Sequence, residues 1–183
     1  MLTPSSAVLE LGCGISPLNA LAAVPRVAHY VLSDQRYVQK LVSRNLVENQ
    51  NQPSARQRTG GSIAFRALDW EQDEVTPGLA APACWFDAVI ATDCVYNDAL
   101  VGPFVQTCVD ACLLRERRGG DGGCGCVCVV AQQLRDHDVF RAWLGAFLER
   151  FRVWRVKGEV LAVEELTARD GFVVHVGVLR QPT

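Results

Sequence analysis

The sequence predicts a doubly wound α/β domain, and three observations carry that prediction. Strand-like apolar runs alternate with amphipathic helical stretches along the chain. The first run, Val8-Leu9-Glu10-Leu11, passes straight into Gly12-Cys13-Gly14, a strand-to-helix turn that calls for glycine. Acids then recur where successive strands should end, at Glu10, Asp34, Asp69 and Asp93. Seven strands are expected, mostly parallel with an antiparallel end. Residues 151–156 and 172–179 are joined by a connection whose helical piece, 159–167, is short, which suits a hairpin-like pair better than a full crossover.

Size and composition agree with one domain over residues 1–183. The length is enough for a three-layer core, and 49% hydrophobic residues with a mean hydropathy of +0.11 indicate a folded chain. A net charge of −2 gives no bulk attraction to nucleic acid or to an anionic membrane. No apolar run approaches the roughly 18 residues of a membrane span, and the start lacks the basic-then-apolar order of a signal peptide. The expectation is a cytoplasmic protein with no direct nucleic-acid or membrane partner. Of the eight cysteines, Cys94, Cys124, Cys126 and Cys128 lie in or beside apolar runs, and Cys108 and Cys112 share a helical face. They read as small core hydrophobes. Cys124-Gly-Cys126-Val-Cys128 lacks a second ligand pair and a histidine at zinc spacing, so no metal is expected.

The elements follow in order. Ser16 suits a helix N-cap and Pro17 a first helical position, and Leu18, Leu21 and Ala22 give a short helical face. Residues 27–32 form the second strand, ending at Ser33-Asp34. Val38, Leu41, Val42 and Leu46 recur at helical spacing, with Lys40 and Arg44 outward, and predict a helix over 36–49. A polar loop at 50–62 leads to the third strand, 63–68, which ends at Asp69-Trp70. After a loop at 71–84, the fourth strand, 85–91, ends in Thr92-Asp93-Cys94-Val95-Tyr96-Asn97. A helix is predicted over 98–115, a glycine-rich charged loop over 115–123, and a fifth strand, buried on both faces, over 126–131. Phe140, Trp143, Leu144, Phe147 and Leu148 mark the next helix, capped by Asp136 or Asp138.

In such a sheet ligands bind beyond the carboxyl ends of the strands, where the four acids fall. At the glycine corner two cofactors compete. A dinucleotide fingerprint would need a third glycine where Pro17 stands, whereas Glu10 at the strand end repels a pyrophosphate and attracts the ammonium of S-adenosylmethionine. A glycine turn without a ligand is the third reading. Asp34, about twenty residues on, suits ribose hydroxyls, and capping of the next helix is a compatible role. Asp69 beside Trp70 suits an adenine, one accepting from the exocyclic amine and the other walling the ring; the plainer alternative is a Trp70 that caps the core. At the fourth strand end the chain offers Asp93-x-x-Tyr96 in place of the neutral Asn-Pro-Pro-Tyr that serves uncharged nitrogens. A carboxylate suits a substrate arriving as a cation, which points to lysine. Methyl transfer needs the neutral amine, and deprotonating lysine at neutral pH costs roughly 4 kcal/mol. Asp93 would therefore capture and orient the side chain, Tyr96 would wall its channel, and the proton would leave through water.

These residues resemble the seven-strand class I S-adenosylmethionine-dependent methyltransferases. Glu10-Leu-Gly-Cys-Gly14, Asp69-Trp70 and Asp93-Cys-Val-Tyr96 are together similar to the non-histone protein-lysine methyltransferase family, the methyltransferase-like 21 group. Gly14-Ile-Ser-Pro-Leu18, Asp93-Cys-Val-Tyr-Asn-Asp98 and Val129-Val-Ala-Gln-Gln133 resemble its fungal branch, whose members methylate a lysine of a large-subunit ribosomal protein. The resemblance implies a Rossmann-like sheet, S-adenosyl-L-methionine as cofactor with S-adenosyl-L-homocysteine as product, and a monomer acting on a ribosomal protein. It implies cofactor contacts at Glu10, Gly12, Cys13, Gly14, Asp34, Asp69, Trp70 and Thr92, and catalytic roles for Asp93 and Tyr96. Family members carry a segment before the glycine loop, with an aromatic residue that helps close the cofactor pocket; here only residues 1–7 precede the first strand, so that segment is expected to be lacking. The alternatives are a cofactor-binding module without turnover and a small-molecule methyltransferase, which would add a lid of helices.

Overall fold

The computed structural model describes residues 2–50, 60–116, 125–161 and 171–181. Its seven strands are β1 (Ala7–Leu11), β2 (His29–Asp34), β3 (Ser62–Ala67), β4 (Ala88–Thr92), β5 (Val127–Gln133), β6 (Phe151–Arg155) and β7 (Phe172–Leu179). They form one sheet in the order β3-β2-β1-β4-β5-β7-β6. β1 to β5 pair in parallel, and β7 runs antiparallel to both β5 and β6. The order therefore reverses between β1 and β4, and a crevice opens at that switch point beyond the strands' carboxyl ends.

Five helices accompany the sheet among the described residues: α1 (Leu18–Ala23), α2 (Gln39–Gln50), α3 (Val101–Glu116), α4 (His137–Arg150) and the single turn α5 (Gly158–Leu161). Ala20 of α1 and Val42 of α2 pack with Val8, Tyr30 and Leu32 on one face. Phe104, Cys108 and Cys112 of α3, with Trp143 and Phe147 of α4, pack with Leu9, Leu11, Val89 and Val130 on the other. β1 is covered on both faces and is buried throughout, so its sequence shows no alternation. Below the sheet, Asp87 ties two elements together: one oxygen accepts the Ala7 N–H at 2.7 Å, and the other pairs with Arg115 of α3. No described helix is long and apolar enough to cross a membrane.

Several elements differ in detail from the expectation. Pro17, not Ser16, occupies the cap position of α1; its carbonyl accepts the Leu21 N–H at 2.9 Å, and no side chain caps the helix. The helix expected over 36–49 is a 3-10 turn, Arg36–Val38, followed by α2, and that expected over 98–115 is a 3-10 turn, Asp98–Leu100, followed by α3. Asn97 starts the latter by accepting the Ala99 N–H at 3.1 Å. β4 begins at Ala88, although the Asp87 main chain already bonds to both neighbours, its N–H to the Ala7 carbonyl at 2.8 Å and its carbonyl to the Val127 N–H at 3.1 Å. β5 runs on to Gln133 and alternates between buried and half-buried residues, so only one of its faces is fully covered. Asp136 caps α4, accepting the N–H groups of Asp138 and Val139. Cys13, Cys94, Cys108, Cys112, Cys126 and Cys128 are buried, whereas Cys84 is exposed. Cys124, most of the 50–62 and 159–167 stretches and residues 117–123 lie outside the described residues.

Candidate functional site

The crevice at the switch point holds a cavity of about 270 Å³, near the lower end for small-molecule sites. Gly12 and Gly14 from the β1 loop, Asp34 from β2, Asp69 and Trp70 after β3, and Asp93 and Tyr96 after β4 all line it. Seven of the ten residues expected at the site thus meet in one place.

Glycine at position 12 is required by close approach. Its φ is +66°, and a Cβ there would stand 2.5 Å from the Cys94 Cβ and 3.3 Å from the Trp70 ring. Gly14, at φ +57°, faces open space. Asp34 holds this loop from the β2 end: Oδ2 accepts the Gly14 N–H at 2.8 Å and Oδ1 the Gln35 N–H at 2.7 Å. Each oxygen keeps a lone-pair direction free for a ligand hydroxyl. Asp69 accepts the Glu71 N–H at 2.9 Å, and the Gln35 side chain also bonds to it; the Gln35 bond first, then that N–H, hold its carboxyl below the usual range. Trp70 stands edge-on to Phe104 with centroids 5.2 Å apart. Leu68, Val38 and Leu100 supply apolar wall, and Tyr37, 81% exposed, stands at the mouth with Tyr96, 71% exposed.

Three expected residues do not line the cavity. Glu10 points to the α1 face, only 2% exposed, where Oε1 accepts from Asn19 Nδ2 at 2.8 Å and Oε2 from the Tyr30 hydroxyl at 2.9 Å. Burial pushes its carboxyl up, and the two hydrogen bonds oppose that only in part. Thr92 is joined to the same group, its Oγ1 accepting from Asn19 Nδ2 at 2.8 Å. Asn19 was not anticipated, and it braces the β1 and β4 ends from beneath the glycine loop. Cys13 is buried against Val8 and Ala20, and burial first, then Glu10 and Asp34, push its thiol up to about 12. Cys94, at the cavity wall, is pushed up to about 12 mainly by burial. Neither thiol is a ready nucleophile.

Asp93 adopts φ +55°, a left-handed conformation that aspartate tolerates better than most residues. Its N–H donates to the Ala131 carbonyl at 2.8 Å, which draws the β4 loop towards the end of β5. There its carboxylate is already engaged. Oδ1 accepts the Gln133 N–H at 3.2 Å, and Oδ2 pairs with Arg135 Nη2 at 2.6 Å. Arg135 Nε also donates to Gln133 Oε1 at 2.8 Å. The carboxylate expected to capture a cationic side chain is in fact already half of an ion pair. Sequence reasoning followed acids along four strand ends and passed over the base at the fifth.

The sequence profile described as lysine methyltransferase matches residues 3–118. The chain belongs to the lysine methyltransferase family. The cofactor of this family is S-adenosylmethionine, and the cavity suits it on its own observations: paired acids at the β2 and β3 ends, apolar walls between them, and a glycine that opens onto free space. A ribosomal lysine N-methyltransferase 5 from Zygosaccharomyces rouxii is 30% identical over 166 residues, covering 76% of this chain and 50% of that protein. A Schizosaccharomyces pombe protein named diaminohydroxyphosphoribosylamino-pyrimidine deaminase is 32% identical over 171 residues, covering 90% of this chain and 35% of that protein. The chain therefore spans a third to a half of the length of these curated relatives. The H-x-E and P-C-x-x-C signature of zinc deaminases does not occur in its 183 residues. Among solved structures, the N-methyltransferase NodS from Bradyrhizobium japonicum in complex with S-adenosyl-L-homocysteine matches with a TM-score of 0.59 at 13% identity, covering 96% of this chain and 79% of that one. It shares the fold.

Proposed function

We propose that the chain is the catalytic part of a cytoplasmic protein-lysine N-methyltransferase whose substrate is a protein of the large ribosomal subunit. The observation that carries this reading is Asp93-x-x-Tyr96 on the same cavity as Gly14, Asp34 and Asp69. It is supported by the family and by the yeast relatives, which are ribosomal lysine N-methyltransferases.

Asp34 would accept the ribose hydroxyls and keep the glycine loop in place through Gly14. Asp69 and Trp70 would take the adenine, with Leu68 and Val38 as its apolar floor. The main chain at Gly14, which faces open space, leaves room for the amino acid half. Glu10 and Thr92 would act through Asn19, holding the loop rather than the ligand. S-adenosylmethionine supplies a methyl group on a sulfonium, open to attack by a neutral amine. Asp93 and Tyr96 would bring a lysine side chain to that methyl, with Tyr96 walling the entrance and water taking the proton.

The test is to incubate the chain with tritiated S-adenosylmethionine and purified large-subunit ribosomal proteins. Label on a lysine of one protein is expected. Label confined to small molecules would overturn the reading.

A further inference from the structure

The pairing of Asp93 with Arg135 creates a problem and resolves it. A lone carboxylate at the substrate end of the cavity would bind a lysine ammonium well and then hold it in the unreactive protonated form. The structure does not leave Asp93 alone. Asp93, Gln133 and Arg135 close a ring of three contacts at 2.6, 2.8 and 3.2 Å, which fixes the guanidinium beside the carboxylate at the end of β5. A guanidinium there sets a positive charge against the carboxylate.

We propose that Arg135 is a positioning residue that neutralises Asp93, so that the pair orients a substrate lysine amine without stabilising its ammonium form. This rests on the protein-lysine reading. The surroundings make the counter-charge useful. Asp34 faces the cavity from the end of β2, Asp69 from beyond β3, and buried Glu10 stands behind the loop on β1. Asp136 follows Arg135 and is occupied as the cap of α4, with His137 next to it. Tyr96 and the Cys94 thiol complete the β4 side, the thiol remaining neutral below about pH 12. Without Arg135 the protein's own charges on the cavity would be acids on three strand ends, leaving only the cofactor's sulfonium to oppose protonation of the amine. With it, Asp93 still has an acceptor direction to offer, and the amine gives its proton to water at the exposed mouth. The side chains of Asp93 and Arg135 are 41% and 62% exposed, so water reaches both.

Removing the guanidinium should raise the amine's pKa in the complex by about one unit, the lower end of what a nearby opposite charge does, because the site is solvated. The experiment compares wild type, R135Q and R135K in single-turnover methyl transfer from tritiated S-adenosylmethionine to large-subunit ribosomal proteins, from neutral to alkaline pH. R135Q should be about tenfold slower at neutral pH and recover at alkaline pH, a profile shifted by about one unit. R135K should keep the wild-type profile. An R135Q that is slower by one factor at every pH overturns the proposal, as does an R135K that shifts like R135Q. A second readout needs no turnover: the Arg135 Nη–H resonances, one of which belongs to the Nη2 that donates to Asp93, should be protected from exchange in the chain loaded with S-adenosylhomocysteine, and lose that protection in D93A. Protection unchanged in D93A also overturns it. A wild type that transfers no methyl to lysine overturns the protein-lysine reading and this inference together; a wild type that transfers with an unshifted R135Q overturns this inference alone.

Discussion

Replacing Gly12 by alanine should cost far more stability than the same change two residues later, although both glycines have positive φ. The backbone cost is shared: a residue with a Cβ at φ +66° or +57° pays about 1–2 kcal/mol. The steric cost falls on position 12 alone. There the new Cβ would meet the Cys94 Cβ at 2.5 Å, an atom fixed to the main chain that cannot swing away, and the Trp70 ring at 3.3 Å. Overpacking of this kind costs about 1–3 kcal/mol. G14A meets nothing within 4 Å, so it carries only the backbone cost. The two variants should therefore differ by about 1–3 kcal/mol, or about 2–12 °C in Tm for a domain of this size. Urea unfolding of both, with m unchanged, measures the difference. Calorimetric titration with S-adenosylhomocysteine should show that G14A, though the more stable of the two, binds more weakly than wild type, because its methyl group enters the open side of the loop. Equal stability losses would refute the claim that the β1 and β4 loops touch through Gly12.

Three further outcomes follow from individual contacts. D34A removes the acceptor of the Gly14 and Gln35 N–H groups, and should raise the S-adenosylhomocysteine Kd by about tenfold or more; an unchanged Kd would remove Asp34 from the ligand site. Burial raises the Glu10 carboxyl above its ordinary 4.5, so the folded state holds that proton more tightly than the unfolded chain. Its contribution is fully present below 4.5 and is lost as pH rises through the folded value, so E10Q should remove a fall in stability that begins just above pH 4.5, read by denaturation across that window. His175 behaves in the opposite sense. Burial first, then Arg155, hold it below its ordinary 6.5, so it favours the fold above 6.5 and that contribution is lost as pH falls through the folded value; H175F should flatten that acid-side loss, and an unchanged pH profile would deny it.

The sheet was legible because its signals are local and repeated. β1 to β5 each announce themselves by an apolar run that ends in a polar turn, and the short helical piece in the connection before β7 pointed to the antiparallel end. The boundaries that moved did so through tertiary contacts that no window of sequence contains. Trp85, Phe86 and Asp87 read as strand with the residues that follow, yet pairing with β1 starts only at Ala88, opposite Val8. Ser16 has the chemistry of a cap, but the loop that Asp34 holds places Pro17 at that position.

The turning of Glu10 away from the cavity and the omission of Arg135 have a common physical cause. An acid near a strand end has two fates: at or beyond the last paired residue it faces the crevice, and one residue further in it faces the sheet's flank. Asp69 and Asp93 lie past the ends of β3 and β4, and Asp34 closes β2, so all three reach the cavity. Glu10 still pairs with Leu32 and Ile90 inside the sheet, so alternation turns it under α1, where Tyr30 on the neighbouring strand receives it. Reading charge along one strand end at a time also hides the balance between ends. Asp93 and Arg135 are 42 residues apart, and only the parallel pairing of β4 with β5 places them together. The acids locate the cavity, and the base opposite the fourth of them decides what protonation state a bound amine would keep.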